Sequence, residues 1–184
     1  NPFLLKSLSP AQMNNLMFDT LMTRSLDEPS SSYTLIADSY ELARDGLSVT
    51  YFIDSSAKFS NGNHVSAYDV KFSFELLMSE SAHPQYRIYW SDIDSVLVLD
   101  EMTIKFNFKR KNPELHMIIG DLPVFSRDWL SVEEFSKSFR KKPISSGPYT
   151  IKNYEIGKYI IYERNKNYWA KNKPSRKYMY NFDQ

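Results

Sequence analysis

The stretch that most constrains the fold runs from Lys58 to Leu77, with the sequence KFSNGNHVSAYDVKFSFELL. Asn61-Gly62 follows an aromatic-rich run and predicts a tight turn, because glycine accepts positive φ without steric cost. Ser66 precedes Asp69 by three residues, which is the spacing of a helix capping box. An apolar face with helical periodicity follows, made of Val70, Phe74 and Leu77. The stretch therefore predicts a strand end, a turn and a helix that begins at Ser66 and runs to about Ser79.

Strand patterns surround this stretch. Asp45-Gly46 is a hairpin turn signal, and Ser48 to Asp54 after it is rich in β-branched and aromatic residues, which predicts a strand. Before the turn, residues 35–42 are short and apolar, and they fit either a strand or a single helical turn. Ser95–Leu99 and Met102–Phe108 predict a hairpin whose second arm alternates, with one face buried at Ile104, Phe106 and Phe108.

The remaining elements are less regular. Apolar residues at helical spacing predict a helix from Ala11 to Leu26, with Met13, Leu16, Met17, Leu21 and Met22 on one face. His83 to Tyr86 is interpreted as a break, followed by an aromatic connector. Shorter helices are predicted at 113–119 and 132–139, the second ending in basic residues. Tyr149–Tyr154 and Tyr159–Glu163 predict a last hairpin that turns at Gly157. Strands mixed with single helices predict an α+β fold.

Composition excludes several classes of partner and site. The chain of 184 residues has no cysteine, which rules out disulfides, thiolate metal sites and cysteine nucleophiles. Its 23 basic and 22 acidic residues give a net charge of +1, so no nucleic acid or anionic membrane surface is indicated as a partner. No apolar run approaches the length of a membrane span.

Catalytic motifs are missing as well. His64, His83 and His116 stand apart from one another, without the spacing of a zinc site, so no metal or other cofactor is expected. Nucleotide-binding loops and the nucleophile elbow of hydrolases do not occur. Carboxylate pairs are present at 92/94 and 133/134, and an enzyme acting on peptides or glycans through them is the alternative. The expectation is a protein without enzymatic activity.

The order of several motifs carries a resemblance. LIADSYE at 35–41, DGL at 45–47, FSNG at 59–62, SAYDVKFSF at 66–74, SGPY at 146–149 and YERNKNYW at 162–169 resemble family-five bacterial extracellular solute-binding proteins. These are the peptide- and nickel-binding receptors of ABC importers. DTLMTRSLDEP, PQYR, SRDW and YNFD are most similar to the Yej-type oligopeptide-binding branch. The resemblance extends through essentially the whole chain.

The resemblance implies an architecture. Family proteins are longer and have two lobes that close on a ligand, so this chain is expected to be an amino-terminal fragment of the type II periplasmic-binding-protein fold. Residues 1–18 and 145–184 are expected to belong to the main lobe, and 19–144 to an inserted mixed subdomain. The second lobe is expected to lie outside this chain.

The resemblance also implies a ligand site. In the oligopeptide receptors a segment near the start offers its main chain to the peptide as an added strand, and here that segment aligns with Lys6, Ser7 and Leu8. A tyrosine after the main helix, aligned with Tyr86, is expected to reach the ligand. Tyr89 and Trp90 are weaker candidates for a cleft wall. The alternatives are an ordinary edge segment at residues 6–8 and a packing role for Tyr86.

The implied function is capture of oligopeptides, with murein-derived peptides or peptide-like antibiotics among the possible ligands. A periplasmic monomer would deliver them to ABC permease subunits at the inner membrane. Two other functions stay open on the sequence: a receptor for a non-peptide solute such as a nickel complex, and a chaperone-like peptide-binding module.

Overall fold

The computed structural model describes residues 3–4, 12–135 and 142–184, which form short helices and antiparallel strands. The helices in these ranges are α1 (Met13–Met17), α2 (Ala67–Met78), α3 (Pro84–Tyr89), α4 (Leu115–Gly120) and α5 (Val132–Phe135). The strands are β1 (Met22–Arg24), β2 (Ser32–Thr34), β3 (Ala37–Leu42), β4 (Ser48–Ile53), β5 (Ile93–Asp100), β6 (Thr103–Phe108), β7 (Tyr149–Glu155) and β8 (Tyr159–Arg164). The α+β prediction is confirmed.

A four-stranded antiparallel sheet with the order β3-β4-β6-β5 forms the centre of the molecule. Gly46, with φ of 70°, makes the turn between β3 and β4, as the sequence predicts. The ambiguous stretch at 35–42 contributes β3, because its backbone pairs with β4 along most of its length. The strand predicted at 48–54 and the hairpin predicted at 95–108 are also confirmed.

One face of this sheet is covered by α2. The inward residues of β6 are those predicted from the alternation, and all of them are buried: Ile104, Phe106 and Phe108. The ring of Phe74 on α2 meets Phe106 edge to face, with centroids 5.7 Å apart. Such a geometry is favourable because the positive edge of one ring faces the negative face of the other.

The capping box at the start of α2 is confirmed and does more than start a helix. The hydroxyl of Ser66 accepts from the amide of Asp69, and the Asp69 carboxylate accepts from the amide of Ser66 at 3.0 Å. The other Asp69 oxygen accepts from the amide of Arg127 at 3.1 Å. Asp69 therefore holds the 126–129 loop against the helix start, a contact 58 residues away in sequence.

The predicted helix from Ala11 to Leu26 is wrong. Its described part stops at Met17, and Phe18 is extended with φ of −128°. The carbonyl of Met17 accepts instead from the amide of Gly147 at 2.9 Å and from the hydroxyl of Ser145 at 2.6 Å. Beyond it the chain forms β1, which pairs with β2. The apolar pattern does mark burial, since Met13, Met17, Leu21 and Met22 all lie in the core.

The interpretation of His83 to Tyr86 as a break is also wrong, because α3 begins there. Pro84 occupies the first turn, where its missing N–H costs nothing. The ring of His83 accepts from the amide of Gln85 at 3.2 Å and caps the helix. Proline after a polar residue here marks the start of a helix.

The two shorter helices were predicted at nearly the correct positions. The helix predicted at 113–119 is α4, which starts two residues later than expected. The helix predicted at 132–139 begins as expected with α5. Its remainder lies outside the described residues, as do the first two of the basic residues predicted to end it at 140–142.

Two distant parts of the chain meet beside α1. Besides the bonds to Met17, the amide of Asp19 donates to the hydroxyl of Ser146 at 2.9 Å. The boundaries predicted at 18/19 and 144/145 fall at this contact, so the start and the end of the proposed insertion are neighbours. Beyond it, β7 and β8 form the predicted hairpin, with Gly157 at φ of 78° in the turn.

Candidate functional site

An aromatic cluster surrounds Phe3, which is fully buried although it lies near the start of the chain. Its ring contacts Phe125 at 4.7 Å, Phe18 at 5.6 Å and Tyr86 at 6.1 Å between centroids. The carbonyl of Phe3 accepts from the amide of His83 at 2.8 Å, just before α3. Side chain and main chain together fix this residue against the start of α3.

Tyr86 lies on α3 between this cluster and the surface. Its ring stacks on Trp90 with centroids 5.6 Å apart and is only partly buried. Burial raises the pKa of its hydroxyl, which keeps the phenol neutral and able to donate a hydrogen bond. The position fits both interpretations from the sequence, since one part of the ring packs and the rest is accessible.

The two weaker candidates differ. Trp90 is 2% exposed, and its indole N–H donates to the carbonyl of Ile118 at 3.0 Å, so it belongs to the core. Tyr89 is exposed, and its hydroxyl donates to the Asp121 carboxylate at 2.9 Å. Arg24 binds both partners, donating to Asp121 and to the Tyr89 hydroxyl. Tyr89 is therefore part of a polar cluster at the end of α3.

Burial raises the pKa of Tyr89, and the neighbouring Asp121 carboxylate raises it further, because a negative charge nearby disfavours a phenolate. Sequence reasoning missed this cluster, since its three members lie on separate elements. Arg24 ends a short strand, and nothing in the neighbouring sequence predicts that its partner lies 97 residues away.

Lys6, Ser7 and Leu8 lie outside the described residues, so the structure does not place them beside Tyr86. It places Phe3 and Leu4, which precede them. Sequence reasoning did not single out Phe3. An aromatic residue directly after Asn1-Pro2, at the head of an apolar run with Leu4 and Leu5, was the available signal.

A second polar site that sequence reasoning missed surrounds Asp19, which is 1% exposed. Its carboxylate accepts from the hydroxyl of Tyr168 at 2.7 Å, from the indole of Trp169 at 3.2 Å and from the guanidinium of Arg176 at 3.4 Å. Burial raises its pKa to about 6, and the charge of Arg176 and these hydrogen bonds offset only part of that effect. Asp19 joins the beginning of the chain to its last forty residues.

The described residues include no cluster of three or more histidine, cysteine or carboxylate side chains arranged to hold a metal ion. Among the helices of the described ranges, none combines the length and the apolar character that a bilayer crossing requires.

A family model described as bacterial extracellular solute-binding proteins, family 5 middle, matches residues 33–181. The chain belongs to this family. Family 5 proteins are the solute-binding components of ABC importers, and these binding components are in general not enzymes.

Two relatives resemble this family 5 chain along nearly its whole length. YejA of Escherichia coli, an uncharacterized protein, is 33% identical over 95% of this chain. The peptidoglycan-binding protein YepA of Agrobacterium fabrum is 31% identical over 100% of it. The alignments cover 29% and 31% of these proteins, so the chain spans about a third of the length of the curated relatives it matches.

Solved family 5 structures show the same fold. NikZ of Campylobacter jejuni, in complex with Ni(L-His), superimposes on 92% of this chain with a TM-score of 0.76 and 25% identity. DppA of Helicobacter pylori, in complex with the peptide STSA, covers 89% with a TM-score of 0.70 and 25% identity. The chain covers 34% and 36% of these two structures, and it therefore has part of the type II periplasmic-binding-protein fold.

Proposed function

We propose that the chain is part of a periplasmic receptor that captures oligopeptides, among them murein-derived peptides, for an ABC importer. It acts as a monomer without catalytic activity and delivers its ligand to permease subunits at the inner membrane. Residues 1–18 and 145–184 contribute to the main lobe, and residues 19–144 form an inserted subdomain.

The observation that carries this proposal is the anchoring of Phe3. Its buried ring and its bond from His83 fix the main chain directly before residues 5–11, next to the accessible part of Tyr86. Peptide capture by strand addition needs an edge whose main chain is already held in place, because ordering it on binding would cost affinity. Lys6, Ser7 and Leu8 are the proposed edge, and Tyr86 the proposed side-chain contact.

Peptide as the ligand class is supported by the relatives. YepA is named a peptidoglycan-binding protein, and DppA was solved with a bound peptide. Main-chain pairing suits such ligands, because amides and carbonyls are common to every peptide and make recognition tolerant of sequence.

A nickel complex is the second candidate ligand, and the similarity to NikZ is the observation that favours it. A nickel–histidine chelate would bring its own donor atoms. It therefore needs a shaped cleft more than protein ligands to the metal.

Calorimetric titration of the longer protein, of which this chain is expected to be a part, separates the two candidates. A mixed pool of short peptides is compared with the nickel–histidine complex under the same conditions. We expect the peptides to bind with Kd well below about 1 mM, which corresponds to roughly −4 kcal/mol. Peptide binding no tighter than that, with tight binding of the chelate, would replace this proposal by the second candidate.

A further inference from the structure

A cavity of about 220 Å³ opens between the end of β8 and the segment at 171–180. It lies in the last part of the chain and does not include Phe3, Tyr86 or the Arg24 cluster. Pro148 and Met179 form apolar parts of its wall, and the amide of Asn165 donates to the carbonyl of Pro148 at 2.8 Å across its rim. The volume suits a small group rather than a whole peptide.

The charged side chains that line this cavity are all basic. They are Arg164, Lys166, Lys171 and Arg176, and no carboxylate is found among its described lining residues. Arg164 is paired with Asp183. Lys166 and Lys171 are exposed and make no ion pair with any residue in the described ranges. Arg164 and Arg176 have carboxylate partners, so the two lysines supply the positive charge that is free to attract an anion.

Arg176 gives a second, independent indication. Its side chain is 11% exposed, and one terminal nitrogen donates to Asp19 at the long distance of 3.4 Å. Asp19 also accepts from Tyr168 and Trp169, so its oxygens are shared among three donors. The Nε atom of Arg176 is buried and has no hydrogen-bond partner in the part of the chain that the structure describes. A buried charged donor is normally satisfied, so this guanidinium keeps a hydrogen-bond donor that the described residues leave unused.

We propose that this cavity, which we call the basic pocket, binds a carboxylate. A guanidinium presents its donors as a planar fork that matches the two oxygens of a carboxylate, and the two lysines add charge. The apolar wall at Pro148 and Met179 suits the carbon atoms next to such a group. The carboxylate could belong to a free small acid or to an acidic side chain from the longer protein. This proposal does not depend on peptide capture by residues 6–8.

The test follows the side-chain Nε–Hε resonances of the 184-residue chain by NMR at constant ionic strength. Acetate and inorganic phosphate are added in separate titrations. We expect a saturable shift of the Arg176 resonance with acetate and a weaker response to phosphate. No saturable shift, or an equal affinity for phosphate, would overturn the proposal of a carboxylate site.

Two pairs of variants make the result specific. Lys166→Gln with Lys171→Gln removes two exposed charges from the basic pocket and leaves the buried Asp19–Arg176 contact in place. Lys58→Gln with Lys111→Gln removes the same charge from exposed positions elsewhere. The first pair should raise the acetate Kd about threefold or more, and the control pair should leave it unchanged. Equal effects of the two pairs would show that only net charge matters and would contradict the proposal.

The same acetate titration of the longer protein distinguishes the sources. If Arg176 again responds, the basic pocket is open to a free acid. If Arg176 responds only in the 184-residue chain, a segment of the longer protein fills the pocket. An acidic side chain beside Arg176 in that segment then supports the carboxylate assignment, and the lack of one overturns it.

Discussion

Asp19 is a carboxylate that has lost nearly all of its hydration, since it is 1% exposed among two aromatic donors and one arginine. Burial raises its pKa to about 6, against about 3.9 for an aspartate in an unfolded chain. Arg176 approaches only to 3.4 Å, too far to compensate for the lost hydration. A single residue thus makes the folded state sensitive to pH.

Asp19→Asn should remove part of the pH dependence of stability. Between pH 4 and pH 6 the folded chain binds a proton at Asp19 that the unfolded chain has released. The contribution of this group is therefore full below about pH 4 and is lost as the pH rises through 6. Urea unfolding from about pH 3 to about pH 7.5 should show wild type losing about 3 kcal/mol relative to the variant, from the two-unit difference in pKa.

A pH dependence of the opposite sign would contradict this account of Asp19. If wild type gains stability relative to the Asn variant as the pH rises, the attraction between Asp19 and Arg176 outweighs the cost of burial.

At the scale of elements, local signals were sufficient for some parts of the fold. The capping box of Ser66 and Asp69 and the glycine turns at 46 and 157 depend on residues adjacent in sequence, and they were predicted correctly. The end of α1 depends on Ser145 and Gly147, which donate hydrogen bonds to the carbonyl of Met17 although they lie more than 120 residues away in the sequence. No pattern within 11–26 carries that information.

The candidate site divides in the same way. Tyr86 was singled out by the resemblance to the oligopeptide receptors, which have a tyrosine after the main helix. Other features of the site join separate elements and could not be predicted from local sequence. They are the contact of Tyr86 with Phe3, the Arg24–Tyr89–Asp121 cluster and the surroundings of Asp19. Trp90 could not be assigned to the core before α3 was known to be a helix, since the orientation of its ring follows from the helix.

Gly147→Ala tests the contact that ends α1. A Cβ atom at this position would lie 2.7 Å from the carbonyl oxygen of Leu16 and 2.8 Å from the carbonyl carbon of Met17, both main-chain atoms. Because the backbone cannot move aside cheaply, the variant should lose about 2–4 kcal/mol of unfolding free energy. Urea unfolding at neutral pH measures this loss.

Gly62→Ala is the matched control. Gly62 has φ of 91° and open space around its Cβ position, so only backbone strain of about 1 kcal/mol is expected. Equal losses in the two variants would mean that the close approach of Gly147 to α1 does not support the fold.

At the scale of the whole molecule, the chain spans about a third of its relatives and holds one part of a larger binding protein. Its described residues provide a buried aromatic cluster at Phe3, a partly accessible Tyr86 on α3 and a separate basic pocket at the other end of the sequence. The proposed peptide site uses the first two. The fold alone does not decide the ligand, because NikZ and DppA share it and were solved with different ones.

Capture through the main chain is tested by calorimetric titration of the longer protein and of its proline variants. The ligands are peptides of equal length but unrelated sequence, and the measured quantity is Kd. Successive amides of a strand point to opposite edges, so either Ser7→Pro or Leu8→Pro should remove a donor to the ligand and raise Kd at least about tenfold. Ser7→Ala keeps the amide and should leave Kd unchanged. Peptides that bind with similar Kd and are weakened by one proline variant would agree with strand addition at residues 6–8. An unchanged Kd in both proline variants would contradict it.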